Sequence, residues 1–461
     1  MNASSQNPVV DALTEALGAD AIVEGEALSQ RATSYWDATP THALALVRPK
    51  TTEEVSRALT ICHAHDQPVV TQGGLTGCAK GAVAAPQEVI ISTERMTAIE
   101  SIDTVNGTAT VQAGVILQVL QETVAVRGLL FPLDLGARGT CTIGGNVATN
   151  AGGINVLRYG MMRNLVLGLE AVMADGTVLS SMNQMLKNNA GYDLKQLFIG
   201  TEGTLGIVTR VVLKLYPLLQ TRHTALVALS SFDQTTQLLQ LLQRDLAGSL
   251  SGYEVMWGNY YQAVTAKGGH RAPLARDYPF YVLLEAEGAD PQSDAERFQR
   301  VFERAFEDGL IMDGVFPKSD SERRELWEIR ENFELITAQE PCYLYDVSLP
   351  IGDMAAYAQQ VQEGVERQWP QGQCYVFGHM ADGNLHLFVR PGSAGNWHRD
   401  SDLLVYEPLR QFRGSVSAEH GIGLEKKSWL AYSRSEPELA LMQHMKQALD
   451  PKGILNAGRV F

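Results

Sequence analysis

Apolar positions in this chain recur at helical spacing in some stretches and alternate in others, and glycine supplies most of the punctuation between them. Thr51-Thr-Glu-Glu54 has the form of a capping box. Val55, Ala58, Leu59 and Cys62 follow as an apolar stripe, which predicts a helix that ends before a strand over Pro68 to Thr71. Ser101 to Val105 and Thr108 to Val115 flank Asn106-Gly107, and Leu167 to Ala174 and Thr177 to Ser180 flank Asp175-Gly176. Both are hairpin signals, because these dipeptides tolerate the positive φ of a tight reversal. Antiparallel pairing is therefore common in the first half, against a purely parallel nucleotide-binding sheet. Beyond about Thr221 the glycine clusters thin out. The periodicity there predicts helices over Asp233 to Gly248, Ser293 to Gly309 with its own Ser293-x-x-Glu296 box, Ser319 to Gln339 and Gly352 to Trp369, alternating with strands. The fold class is α+β, with a boundary near Pro217 to Thr221, and the second half suits two related α+β units.

Three glycine-rich segments of the first half change the picture from scaffold to site. Gln72-Gly-Gly-Leu-Thr-Gly-Cys-Ala-Lys-Gly81 follows a strand, Cys141-Thr-Ile-Gly-Gly-Asn-Val-Ala-Thr-Asn-Ala-Gly-Gly153 follows a turn-like Pro132-Leu-Asp-Leu-Gly136, and Gly200-Thr-Glu-Gly-Thr-Leu-Gly206 is the third. Loops of this kind let backbone N–H groups approach a diphosphate without interference from Cβ atoms. Neither of the first two is GxGxxG entering a helix or GxxxxGK[ST], which disfavours nicotinamide and P-loop readings. Together they favour a large phosphorylated cofactor lying along a cleft.

In the second half, His379-Met-Ala-Asp-Gly-Asn-Leu-His386 places two imidazoles at the ends of a turn. Tyr375 to Gly378 and Leu385 to Val389 are predicted strands, so the two rings would face each other across a hairpin mouth. Ser417-Ala-Glu-His-Gly421 adds a carboxylate at Glu419 and an imidazole at His420. Two His and one Glu suit a divalent metal with a position left open for substrate.

Composition bounds these readings. At 461 residues the chain exceeds what one core usually serves. Its net charge is -15, with no basic run, which argues against nucleic acid and anionic membrane surfaces. The five cysteines, Cys62, Cys78, Cys141, Cys342 and Cys374, are scattered and never in a CxxC pair, so neither a disulfide framework nor an iron-sulfur site is indicated. The N-terminal MNASSQNPVVDALTEAL lacks a basic leader pattern, and no run of 18 apolar residues occurs. A cytoplasmic, soluble protein is the expectation.

The segments QGGLTG, TCTIGGNVATNAGG, LGLEAVMADGTVL, GYDLKQLFIGTEGTLGIVT, HMADGNLH, SAEHGIG and the closing DPKGILNAGRVF resemble the vanillyl-alcohol-oxidase-type FAD family. Within it the chain is similar to the D-2-hydroxyacid dehydrogenases of the D-2-hydroxyglutarate branch, from about Leu44 to Phe461. The resemblance implies a two-part FAD domain over residues 1–221 with a tail at 431–461, and a substrate and metal-binding cap domain over 222–430. Carried over by position, Gly73, Gly74, Leu75, Thr76 and Gly77 would wrap the diphosphate. Pro132, Thr142, Gly144, Gly145, Asn146, Thr149 and Gly152 would follow the rest of the cofactor, Glu202, Gly203 and Ile207 its adenine side, and Asn456 would return with the tail. Leu75 stands where some members carry a flavin-linking histidine, so FAD is expected to be noncovalent, with Cys78 and Cys141 the residual alternatives. His379, His386 and Glu419 match the metal ligands, zinc being the expected ion beside manganese and iron(II). His420 matches the base and a substrate contact, Arg330 the carboxylate-binding arginine, and Asn384 a substrate or flavin contact.

The implied activity is oxidation of a D-2-hydroxy acid to the 2-oxo acid. Hydride would pass to FAD and electrons onward to an electron-transfer flavoprotein, a quinone or a respiratory carrier. Rival readings are a D-lactate dehydrogenase, the flavin subunit of a glycolate-oxidase-like complex with iron-sulfur partners, and a binding protein without turnover. A homodimer is compatible with the sequence. Three polar anchors of the hydroxyglutarate pattern are replaced by Glu334, Leu344 and Phe388, which points away from a second carboxylate on the substrate.

Overall fold

A computed structural model describes residues 7–266, 268–339 and 341–461. Residues 1–6, which begin both the N-terminal stretch and the expected FAD domain, lie outside them. The chain falls into two compact units, one of Met1–Gly152, Met161–Leu218 and Glu419–Phe461, the other of Gly153–Gly160 and Leu219–Ala418.

Among the described residues the first unit carries three sheets, the smallest being the two-strand pair of Leu129–Leu130 with Tyr216–Pro217. In the four-stranded one, Ile22–Val23, Ala45–Val47, Val89–Ser92 and Val69–Gln72 lie side by side, and the last three run parallel. The capping-box helix spans Thr52–Ala64 and buries Val55, Ala58, Leu59 and Cys62 against Val69, Val89 and Ile91. Thr51 accepts the Glu54 N–H at 3.3 Å, while the Glu54 carboxylate reaches the amide of Lys50, one residue before the cap, at 2.6 Å. The five-stranded antiparallel sheet has the order Ile99–Asp103, Thr108–Gln112, Ile207–Lys214, Val166–Val172 and Val178–Ser181. Both predicted hairpins thus form its flanks, with Ile207–Lys214 joining them. The second glycine-rich segment is not wholly a loop. Ile143–Thr149 is a short helix capped by Thr142, whose hydroxyl accepts the Gly145 N–H at 3.4 Å.

The tail rejoins this unit beside its parallel sheet. Val69 donates to Ile454 O and Asn456 donates to Val69 O, each at 2.8 Å. The return begins at Glu419, earlier than the expected residue 431, because the Leu424 and Glu425 amides bond Ala79 O at 3.0 and 3.2 Å. Conversely, Gly153–Gly160 belongs to the second unit, where Arg158 donates to Glu287 O at 2.8 Å.

Among the described residues the second unit is built on seven strands: β1 Thr221–Leu229, β2 Leu250–Trp257, β3 Phe280–Gly288, β4 Asp313–Val315, β5 Tyr343–Ser348, β6 Gln373–His379 and β7 Asn384–Arg390. They form one antiparallel sheet in the order β4-β1-β3-β2-β6-β7-β5. In the sheet the order β1-β3-β2 mirrors β6-β7-β5, although the first set has an added short helix, Gly258–Val264, between β2 and β3, so two α+β units meet at the β2–β6 pair. Three predicted helices shift. The helix at Pro291–Glu307 is capped by Asp290, not Ser293, because the Asp290 carboxylate already accepts the Gln292 and Ser293 amides. The predicted span Ser319 to Gln339 is Asp320–Glu331 followed by a separate turn of helix at Glu334–Thr337, broken where Asn332 takes an extended ψ of 93°. The last long helix, Met354–Gln368, starts after a short 3-10 turn.

Candidate active site

A cavity of about 970 Å3 opens in the first unit, near the upper end of the ~300–1,000 Å3 typical of ligand sites. Its wall carries every cofactor residue expected from the sequence, from Gly73 to Asn456, except Pro132, which is buried and not part of the lining. The glycines act in two ways. A Cβ on Gly74 would lie 2.2 Å from Thr140 O, so this glycine lets two walls approach, whereas a Cβ on Gly77 would meet nothing within 4 Å. Leu75, Glu202 and Asn456, all on the wall, hold positive φ of 57°, 52° and 43°. Non-glycine residues pay for that conformation, and such strain gathers at ligand sites. Thr71 Oγ1, also on the wall, is buried without a hydrogen-bond partner. An open cradle of N–H groups and an orphaned hydroxyl fit a dinucleotide such as FAD.

Two features of this wall were not legible beforehand. Tyr35 and Trp36 line it, anchored by Tyr35 N–H to Leu75 O and Trp36 Nε1–H to Thr76 O, both at 3.0 Å. Glu202 does more than line it. Its carboxylate accepts the amides of Ile422 at 2.7 Å and Gly423 at 2.8 Å, tying down the loop that follows Glu419 and His420. Burial pushes the Glu202 carboxyl above its usual range, against the pull of those amides and Lys426. Glu419 and His420 themselves face the cavity, so a carboxylate and an imidazole meet the same space as the glycine loops.

The second unit supplies the histidine pair. Gly383, with φ of 91°, closes the turn between β6 and β7, but the register sets Phe377 opposite His386, leaving His379 two residues further along. The rings are therefore diagonal neighbours, with centroids 5.3 Å apart and a ring nitrogen of each within 4.8 Å of the other. Each imidazole has a buried carboxylate as its cross-strand partner: Glu254 on β2 lies opposite His379, and Asp346 on β5 lies opposite His386. The His379 Nδ1 to Glu254 Oε1 distance is 2.6 Å, and His386 Nδ1 lies 4.0 Å from Asp346 Oδ1. Burial alone would raise the Glu254 carboxyl, but His379 and Arg330 hold it well below the usual range. Asp346 also accepts the Ala418 N–H at 3.2 Å, which fixes the chain one residue before Glu419. Neither carboxylate was found from the sequence, although a lone acid in an apolar strand is the signal each leaves.

Arg330 is buried, donates from Nε to Glu254 Oε2 at 2.8 Å, and lies with Cζ 4.6 Å from the Phe377 ring centroid. Among the described residues its side-chain bonds run from Nε alone, which leaves the two terminal nitrogens for another acceptor. Asn384 serves chiefly as a strap: its Nδ2 donates to Asp346 Oδ1 at 2.8 Å and Val347 O at 2.9 Å, while Oδ1 is buried without a partner. Of the three departures, Glu334 and Leu344 are exposed, and Phe388 is buried against Phe377, ring centroids 5.1 Å apart.

Comparisons with known proteins agree with this layout. Residues 43–181 match the family described as "FAD binding domain", and residues 218–460 match "FAD linked oxidases, C-terminal domain". A D-2-hydroxyglutarate dehydrogenase of Bos taurus is 41% identical over 421 residues, 89% of this chain and 75% of that protein. One of Xanthomonas citri pv. viticola is 39% identical over 93% of this chain and 91% of that protein. Among solved structures, p-cresol methylhydroxylase with substrate bound shares 16% identity at a TM-score of 0.77, covering 98% of this chain and 96% of that one. Alkyldihydroxyacetonephosphate synthase shares 17% at 0.74, covering 98% and 85%. These two show the fold, a two-part FAD-binding domain with mixed helix and sheet. Fold and cavity define a flavin-linked oxidoreductase. The chain belongs to the FAD-linked oxidase family that contains the D-2-hydroxyglutarate dehydrogenases.

Proposed function

We propose that this enzyme oxidises D-2-hydroxyglutarate or a related D-2-hydroxy acid to the 2-oxo acid. The observation that carries the reading is that Glu419 and His420 line the same cavity as the glycine-rich cofactor loops. His379, His386 and Glu419 would hold a divalent metal, zinc being favoured by two imidazoles and one carboxylate. The donor chemistry fits: the imidazoles are close neighbours, each faces a buried carboxylate, and the bond from Ala418 to Asp346 sets Glu419 one residue from the partner of His386. When bound, FAD supplies the hydride acceptor and the metal lowers the pKa of the substrate hydroxyl.

The remaining steps belong to the chain. Arg330 presents its terminal nitrogens as a planar fork to the substrate carboxylate, which orients C2. His420 takes the hydroxyl proton on a ring nitrogen as the C2 hydrogen leaves with its electron pair. The loop at Gly73 to Gly77 would hold the cofactor diphosphate through backbone N–H groups, with the segment from Thr142 to Thr149 lying along the rest of the cofactor. FAD is held noncovalently in this reading: Leu75 is not a nucleophile and burial raises the Cys141 thiol, which leaves Cys78 on the cavity wall as the alternative that flavin release tests. Electrons then leave to an external acceptor such as an electron-transfer flavoprotein or a quinone.

The test is anaerobic mixing of the purified yellow protein with D- and L-2-hydroxyglutarate and D- and L-lactate, followed by turnover with an artificial electron acceptor. Flavin bleaching by D enantiomers alone, with flavin released on acid denaturation, is expected. No bleaching by any 2-hydroxy acid refutes the activity, and flavin retained on the precipitate refutes the noncovalent binding.

A further inference from the structure

We infer that Glu254 is a positioning residue that fixes the tautomer of His379 and the orientation of Arg330 at once. The inference rests on the reading of His379 as a metal ligand and Arg330 as the carboxylate binder. Every residue of β2 is buried, and Glu254 is 1% exposed. An ionised carboxylate is costly there unless donors, at least one of them charged, take both oxygens. Two donors do so. The β2–β6 register puts His379 directly across from it, so both side chains project from one face. Oε1 faces His379 Nδ1 at 2.6 Å and Oε2 accepts Arg330 Nε–H at 2.8 Å.

Each bond has a consequence beyond neutralising charge. A carboxylate only accepts, so Nδ1 carries the proton and the lone pair of the neutral ring lies on Nε2, the nitrogen that would ligate a metal. Arg330 is held by its inner nitrogen and by the Phe377 face, so the guanidinium cannot swing while its outer fork stays available. A salt bridge that served only stability would do neither, and apolar residues of similar volume commonly replace such bridges without loss.

Glu254→Gln separates the two roles. The amide has one acceptor and one donor end. Arg330 Nε can only donate, so the amide oxygen must turn to it, and the NH2 then faces His379 Nδ1. Nδ1 must accept, the ring proton moves to Nε2, and the lone pair for the metal is lost. The experiment measures zinc bound per chain at graded free zinc in the FAD-loaded protein, with flavin content and urea unfolding as fold controls. We expect affinity to fall about 10- to 100-fold in Glu254→Gln, the usual effect of losing such a partner. Glu254→Gln combined with Arg330→Met removes the competing donor, frees the amide oxygen for Nδ1–H, and should recover zinc affinity above the single variant. Glu254→Asp, which remains acceptor-only, should also bind more tightly than Glu254→Gln and provides the comparison with wild type if the glutamine variants do not fold. Zinc held equally by wild type and Glu254→Gln, a double variant weaker than the single, or Glu254→Asp no tighter than Glu254→Gln overturns the inference alone. A wild-type chain that binds no divalent metal overturns the ligand reading itself.

Discussion

Replacing Arg330 by Lys keeps the charge but not the fork, and the structure gives the size of the effect. In the proposed reaction the guanidinium has two separate jobs, since Nε sits on Glu254 Oε2 at 2.8 Å and the two terminal nitrogens would meet the substrate carboxylate. A lysine ammonium is one point on a flexible stem and cannot satisfy both. Glu254 is buried beside it, at 1% side-chain exposure, and leaving it is the costlier choice, so the ammonium should stay on Glu254 and give up the substrate. Losing a charge-assisted contact costs about 1.5–3 kcal/mol, and about 1.4 kcal/mol is tenfold. KM should therefore rise about 10- to 150-fold with a smaller fall in kcat, since the lost contact holds the ground state as well as the transition state. Unfolding in urea should stay near wild type, because Glu254 keeps a cation. Arg330→Met is the control. It strips one partner from a buried pair, typically worth about 3–5 kcal/mol, and should lower the unfolding midpoint. Steady-state kinetics with an artificial acceptor and urea titrations read both. A Lys variant with wild-type KM would show that the terminal nitrogens of Arg330 do not meet the substrate.

Gly74→Ala drives a Cβ to 2.2 Å from Thr140 O, so the wall must shift; purified protein should lose most of its FAD, and full flavin content would show that the loop has slack. His420→Ala should retain FAD and metal yet turn over about 10²- to 10⁴-fold more slowly, the usual worth of a general base, and wild-type turnover would remove it from the reaction. His386→Ala removes one of the three proposed protein ligands and should empty the proposed metal site while FAD stays bound; elemental analysis showing full occupancy would make the pair structural. Leu344→Lys with Glu334→Thr restores two polar anchors of the hydroxyglutarate pattern and should shift kcat/KM toward D-2-hydroxyglutarate over D-lactate. If the unmodified enzyme already strongly prefers the dicarboxylate, these positions do not set the substrate.

What the sequence disclosed, and what it withheld, follows from how far each feature reaches along the chain. The N-cap at Thr51, the Asn106-Gly107 and Asp175-Gly176 reversals and the turn between the two histidines are local, and each lies where its own few residues dictate. The glycine segments marked the cavity because close backbone approach leaves a compositional trace. Helix ends were less legible, since Asp290 and Ser293 compete for one N-terminus and geometry chooses between them. Tyr35 and Trp36 reach the cavity only through bonds to Leu75 and Thr76, some forty residues away, and nothing in their own pattern announces it. The deepest omission is the pair of carboxylates behind the histidines. Glu254 is 125 residues from His379 and Asp346 is 40 from His386, and only strand register brings them together. A one-residue slip of β2 against β6 would turn Glu254 to the opposite face and set an uncharged neighbour across from His379. A motif search thus recovers the candidate ligands, which are fixed in sequence, but not the carboxylates paired with them, which are fixed in register. An acid isolated in an otherwise apolar strand of such a fold is the place to look for the missing half of the site.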